Sequence, residues 1–159
     1  SRQRTQVTRP EPENLGYRPE HVAEVRRALV GVTVEGTSAR AFAGAGYVSA
    51  GKTGTAQAVT IGQKDKYNAA KLEEHQRDHA LYMAFAPADA PRIALAVVVE
   101  NAGFGSEHAA PIARRVFDYW LLGQYPGEED MAAVRRGQAA APIGKPRSVS
   151  DLAPAAIAP

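Results

Sequence analysis

The chain has 159 residues, with 19 Lys plus Arg against 17 Asp plus Glu, a formal net charge of +2 and no cysteine. That length suits one domain of ordinary size, and the mild, scattered positive charge, with no basic stripe of interleaved aromatics, argues against nucleic acid as a partner. The absence of cysteine excludes a disulfide framework, a thiolate metal site and a Cys nucleophile.

The longest apolar run, Ile93 to Val99, falls far short of the roughly 20 residues that a spanning helix needs. Nothing at the amino end resembles a signal peptide, so any membrane anchor is expected outside these residues. Residues 1–18, with Arg2, Arg4, Arg9, Arg18, Pro10 and Pro12, show no apolar period and read as a loop or truncated edge. Pro19 suits a first helical turn, and Val22, Val25 and Leu29 recur at helical spacing. The pattern predicts an amphipathic helix over Pro19 to Val30, broken by Gly31 to Gly36 and followed by a short helical turn within Thr37 to Ala43.

From Tyr47 to Ile61 the residues are β-type, with glycines inside the run. Gln63 to Asp78 is polar and charged, and reads as a long surface excursion with some helix around Ala69 to Gln76. Two apolar runs, Ala80 to Ala86 and Arg92 to Glu100, flank the five-residue loop Pro87-Ala88-Asp89-Ala90-Pro91; this predicts an antiparallel hairpin. The second run is apolar on both faces, so it is expected inside a sheet covered on both sides. Ala109 to Leu122 predicts a helix with a broad stripe of Ile112, Ala113, Val116, Phe117, Trp120 and Leu121. Beyond Tyr125 the chain is rich in Ala, Pro and Gly and poor in large apolar residues, so 126–159 reads as a disordered tail.

One stretch satisfies two unrelated patterns. Gly46 to Thr53 matches the phosphate-binding loop G-x-x-x-x-G-K-[ST] letter for letter, which makes a P-loop nucleotide-binding protein the alternative. That chemistry needs a buried strand before the first glycine and a helix starting at the Lys, and the neighbouring residues supply neither. The second pattern is Lys52-Thr53-Gly54 on a strand. Lys52 brings a positive charge to a sheet edge, the hydroxyls of Thr53 and Thr55 fall on one face, and Gly54, lacking Cβ, lets a substrate approach the backbone. A peptide can then add as an extra strand, with its terminal carboxylate against the Lys and Thr groups.

Lys52-Thr53-Gly54-Thr55-Ala56-Gln57, the excursion with Tyr67-Asn68-Ala69, Arg77-Asp78-His79-Ala80 running into Ala84-Phe85-Ala86-Pro87, the hairpin, Glu100-Asn101-Ala102-Gly103 and the helix ending near Leu122-Gly123 together resemble the carboxyl-terminal part of a class B penicillin-binding protein. The resemblance covers about Pro19 to Tyr125. It implies an α+β fold, partial in this chain, of the penicillin-binding protein transpeptidase and serine β-lactamase type: a five-stranded antiparallel sheet packed by helices, beside an all-helical part. It implies a peptidoglycan D,D-transpeptidase of cell elongation, with Lys52, Thr53, Gly54 and Thr55 contacting substrate and the Thr55 backbone N–H completing an oxyanion hole. The implied ligands are a stem peptide ending in D-Ala-D-Ala and β-lactams. The implied partners are the remainder of the transpeptidase domain and a membrane-bound polymerase of the elongation machinery, at the periplasmic face of the inner membrane. No cofactor and no metal is implied for these residues. A class A β-lactamase shares the Lys-Thr-Gly chemistry, but the blocks after it do not match.

The family also needs a nucleophilic Ser in S-x-x-K at a helix start and a second Ser in S-x-N. Ser49-Ala50-Gly51-Lys52 spells the first, but its Lys already belongs to the strand motif, so the match reads as coincidence; no Ser is followed two positions later by Asn. The chain is therefore expected to be a fragment, inactive alone, or else a non-catalytic peptidoglycan-binding remnant. Bland readings suit the other polar residues: His79 as a structural histidine, Arg77 and Asp78 as a solvated pair, His75 and His79 as lacking a third zinc ligand, His108 near the start of the final helix, and Tyr119 and Trp120 as packing residues.

Overall fold

The computed structural model describes residues 11, 13–59, 72–138 and 140–151. Helix α1 spans Pro19–Val34, with Pro19 at its start where no backbone donor is required. It runs past the predicted stop at Gly31, because Glu35 and Gly36 both donate backbone N–H groups to Gly31 O and close the helix one turn later. Val22 and Val25, expected on a packed face, are exposed. The turn α2, Ala39–Phe42, buries Ala41 and Phe42.

Three strands follow: β1 Ala50–Ala56, β2 His79–Ala86 and β3 Ile93–Val99. They form one antiparallel sheet in the order β1-β2-β3, with Thr53 opposite Tyr82 and Tyr82 opposite Val97. The predicted hairpin is β2 and β3. The predicted strand from Tyr47 to Ile61 is shorter here, and Thr60, Ile61 and Tyr67 to Ala69 lie outside the described residues; of the helix expected around Ala69 to Gln76, the structure describes the single turn Glu74–Gln76.

The sheet order gives β3 a single neighbour among the described residues. The central strand among the described residues is β2, whereas β3 lies at an edge with Ala94, Ala96 and Val98 exposed. Ile93, Leu95, Val97 and Val99 pack on the core, formed by Ala80, Tyr82, Ala84 and Ala86 of β2 with Phe42, Ala109, Ala110, Ala113 and Phe117. The last three belong to α4, Ala110–Leu122, which follows the short helix α3, Gly105–His108. Half of the predicted α4 stripe reaches the core: Ala113 and Phe117 are buried and Leu121 packs alongside, while Ile112, Val116 and Trp120 are exposed. His108 ends α3, two residues before α4 begins, and so lies near the start of that helix as expected. Gly123, at φ 63, stops α4 in the left-handed conformation suited to glycine.

Of the segment 126–159, expected to be a disordered tail, residues 126–138 and 140–151 have described structure, while 139 and 152–159 lie outside the described residues. Residues Gln124–Tyr125 (β4) pair with Arg147–Ser148 (β5), and between them lies helix α5, Glu128–Arg135. Large apolar side chains are few here, as the composition suggests, but polar contacts hold the segment instead. Asp130, 1% exposed, receives a two-point contact from Arg115 of α4. Arg115 also donates to Ala140 O, Val149 N–H reaches Gly123 O, and Arg147 lies over the Tyr125 ring at 5.2 Å.

Candidate functional site

Lys52, Thr53, Gly54 and Thr55 sit consecutively on β1, whose one hydrogen-bonded neighbour among the described residues is β2. In an antiparallel pair, alternate residues aim their backbone groups away from the partner strand, so β1 offers a row of donors and acceptors on its outer side. Lys52 is exposed and its Nζ donates to Thr53 O at 2.8 Å. Thr53 is half-buried, Gly54 likewise, and Thr55 is exposed.

The two faces of β1 differ. Thr53 and Thr55 share a face with Gly51, and at Gly51 the sheet carries no side chain for a reason: a Cβ there would overlap the Tyr82 hydroxyl and come within 2.7 Å of its ring carbon. Tyr82 is itself fixed, 2% exposed, stacked on Phe42 with centroids 6.0 Å apart, and hydrogen-bonded to Ser38 Oγ at 3.0 Å. Burial raises the Tyr82 pKa, with the Ser38 contact opposing it in part. Beside β1, an open groove of about 590 Å³ is lined by Lys52, Thr37, Gly36 and Glu35 and by Glu24 and Arg27 of α1.

Ser49 is 2% exposed, immediately before β1, and its hydroxyl is buried. Lys52 lies out in solvent on the strand, so the S-x-x-K spelling does not put a serine hydroxyl and its ammonium partner into one accessible site. Nor does Gly46 to Thr53 form a phosphate loop, because Lys52 and Thr53 lie inside a strand and no helix begins there.

The other polar and aromatic residues singled out in the sequence have these surroundings. Asp78 is 6% exposed, so its carboxylate is buried and not the solvated surface charge expected. The His79 ring accepts the Asn101 backbone N–H at Nδ1, 3.0 Å, while Asn101 adopts φ 56; this contact ties the end of β3 back to the start of β2. Trp120 is 58% exposed, and Tyr119 meets Tyr125 edge-on at 6.5 Å, so among the described residues only Tyr119 of these two makes an aromatic contact. Arg114 and Asp118, unnoticed in the sequence, form a buried pair with Nε 2.9 Å from both carboxylate oxygens. Arg114 also donates to Ala43 O and Tyr47 donates to Asp118. Their i, i+4 spacing on a helix was the available signal.

The penicillin binding protein transpeptidase domain matches residues 2–118. The chain belongs to the penicillin-binding protein transpeptidase family. Among curated relatives, peptidoglycan D,D-transpeptidase MrdA of Haemophilus influenzae is 48% identical over 94 residues, 59% of this chain and 14% of that protein. MrdA of Acinetobacter baumannii is 47% identical over 109 residues, 69% of this chain and 16% of the relative. The chain thus spans about a seventh of the length of these relatives. Among solved structures, Pseudomonas aeruginosa PBP2 in complex with WCK 5153 is 37% identical with a TM-score of 0.57, covering 70% of this chain and 21% of that one. Within the penicillin-binding protein family, then, the likeness is to penicillin-binding protein 2, and the mixed helix and antiparallel-sheet fold is the transpeptidase type.

Proposed function

We propose that this chain supplies the substrate-binding strand of a peptidoglycan D,D-transpeptidase. The observation that carries the reading is the placement of Lys52, Thr53, Gly54 and Thr55 in sequence along β1, at the sheet edge. A stem peptide ending in D-Ala-D-Ala adds to the outer side of β1 as a further strand. Its terminal carboxylate meets the Lys52 ammonium and the hydroxyls of Thr53 and Thr55. The Thr55 N–H donates to the carbonyl oxygen as negative charge builds on it; the missing side chain of Gly54 makes room for Leu81 of β2, 3.2 Å from where a Cβ would sit, and not for the substrate. A donor in that position stabilises the transition state by roughly 3 to 4 kcal/mol.

The serine that attacks the carbonyl and releases the terminal D-Ala is, on this reading, one that these 159 residues do not contain. Ser49 is too buried to serve, and no other Ser here stands three residues before a Lys. The chain alone is therefore inactive, β-lactams act as substrate mimics at the completed site, and the work belongs at the periplasmic face of the inner membrane beside a polymerase of the elongation machinery.

The test is covalent labelling with a fluorescent penicillin, read by intact mass. The chain alone should stay unlabelled, the complete transpeptidase domain containing it should gain one adduct, and Lys52→Ala in that domain should label far more slowly. An adduct on Ser49, or labelling indifferent to Lys52, would overturn the proposal.

A further inference from the structure

Three hydroxyls leave the end of α1 and the turn after it, and each reaches the sheet at a different point. Thr33 Oγ1 lies 2.7 Å from Ser49 O, Ser38 Oγ lies 3.0 Å from the Tyr82 hydroxyl, and Thr37 Oγ1 lies 2.9 Å from Thr53 Oγ1. Gly36 allows the chain to fold back so tightly: a Cβ there would sit 2.8 Å from Val32 Cα. The Thr33 and Ser38 contacts are buried and hold the helix on the sheet. The third is exposed, where water would satisfy both hydroxyls almost as well, so it adds little to stability.

Its effect is on direction. Thr53 and Tyr82 face each other in the strand register, and the consecutive residues Thr37 and Ser38 contact one each. Ser38 is 0% exposed and bonded both to Tyr82 and to Val32 O, so the backbone that presents Thr37 is anchored. A threonine hydroxyl has one hydrogen to donate. When Thr37 donates to Thr53, the Thr53 hydrogen is left to point at whatever occupies the open side of β1, where Thr37 and Lys52 line the same groove.

We infer that Thr37 is a positioning residue, which holds the Thr53 hydroxyl as a donor toward a carboxylate-bearing ligand. The inference rests on the substrate-strand reading above and adds to it a residue outside the Lys-Thr-Gly motif. It makes carboxylate selectivity, and not the capacity to be acylated, depend on Thr37.

The experiment measures acylation rates of the complete domain by benzylpenicillin and by its methyl ester, which lacks the carboxylate. Thr37→Val should lower the penicillin-to-ester rate ratio about 3- to 10-fold, the range of one hydrogen bond, and Thr37→Ser should restore it. In a Thr53→Ala background, Thr37→Val should change the ratio no further. If valine impairs folding, judged by melting, Thr37→Ala removes the donor without added apolar surface and is read in the same way. An unchanged ratio, or equal slowing with both compounds, would overturn the role of Thr37 alone. A wild-type domain that benzylpenicillin does not acylate would overturn the site reading beneath it.

Discussion

Arg115 and Asp130 meet at two points, Nη2 to Oδ1 at 2.6 Å and Nε to Oδ2 at 2.9 Å, and this pair ties α5 to α4. The Asp130 side chain is 2% exposed and also accepts the Ile143 N–H, so one carboxylate joins three parts of the chain.

Removing that charge leaves a guanidinium largely out of water without its partner, which costs about 3 kcal/mol or more. Asp130→Asn should therefore release residues 126–151 while β1 to β3 stay folded. Hydrogen exchange should report a roughly hundredfold rise in opening of α5, and limited proteolysis should cut first in that segment. Unchanged protection of α5 would show that the helix is held by something other than the ion pair.

Gly51 and Tyr82 give a second test. Gly51→Ala should destabilise the protein by about 1 to 3 kcal/mol through overpacking, because Ser38 and Phe42 prevent Tyr82 from swinging away. Tyr82→Phe removes the hydroxyl that the new methyl group meets. The double variant should then melt higher than the two separate losses would add up to. Strict additivity would mean that β1 moves and Tyr82 does not.

Alkaline pH should weaken the fold through Tyr47. Burial, and then the Asp118 carboxylate that accepts its hydroxyl, raise its pKa far above the ordinary tyrosine value; burial raises that of Tyr82 too. The folded state thus keeps protons that the unfolded chain gives up near pH 10. This stabilisation is complete below that pH and declines as the pH climbs beyond it. Melting temperatures taken from pH 8 to 11 should fall at the upper end, and Tyr47→Phe should flatten the fall. An equally steep decline in Tyr47→Phe would place its origin in other groups.

The hairpin was legible because long apolar runs flanking a Pro-edged loop have few alternatives. The strand character of Lys52 to Thr55 was legible because threonines and glycines alternate there and no helical period competes. What stayed hidden depended on partners distant in sequence. Asp130 and Arg115 look like ordinary surface charges until α5 folds back, so the ordered segment after Tyr125 read as a tail. Which strands lie beside β3 is a fact no apolar run encodes. Thr37 stands 16 positions from Thr53, and nothing in the spacing of two threonines announces a contact.

Among the described residues β3 has β2 on one side and no strand on the other. Arg92 and Glu100 bracket seven residues without a charge or a hydroxyl, Ile93 to Val99, and Val98 on their open face is 63% exposed. Such a border is a template on which the same border of a neighbouring molecule can pair, and flanking charges are what discourage it. Among the described residues, Arg92 and Glu100 are the charges that stand at the two ends of this border, where any strand that pairs with β3 would begin and end.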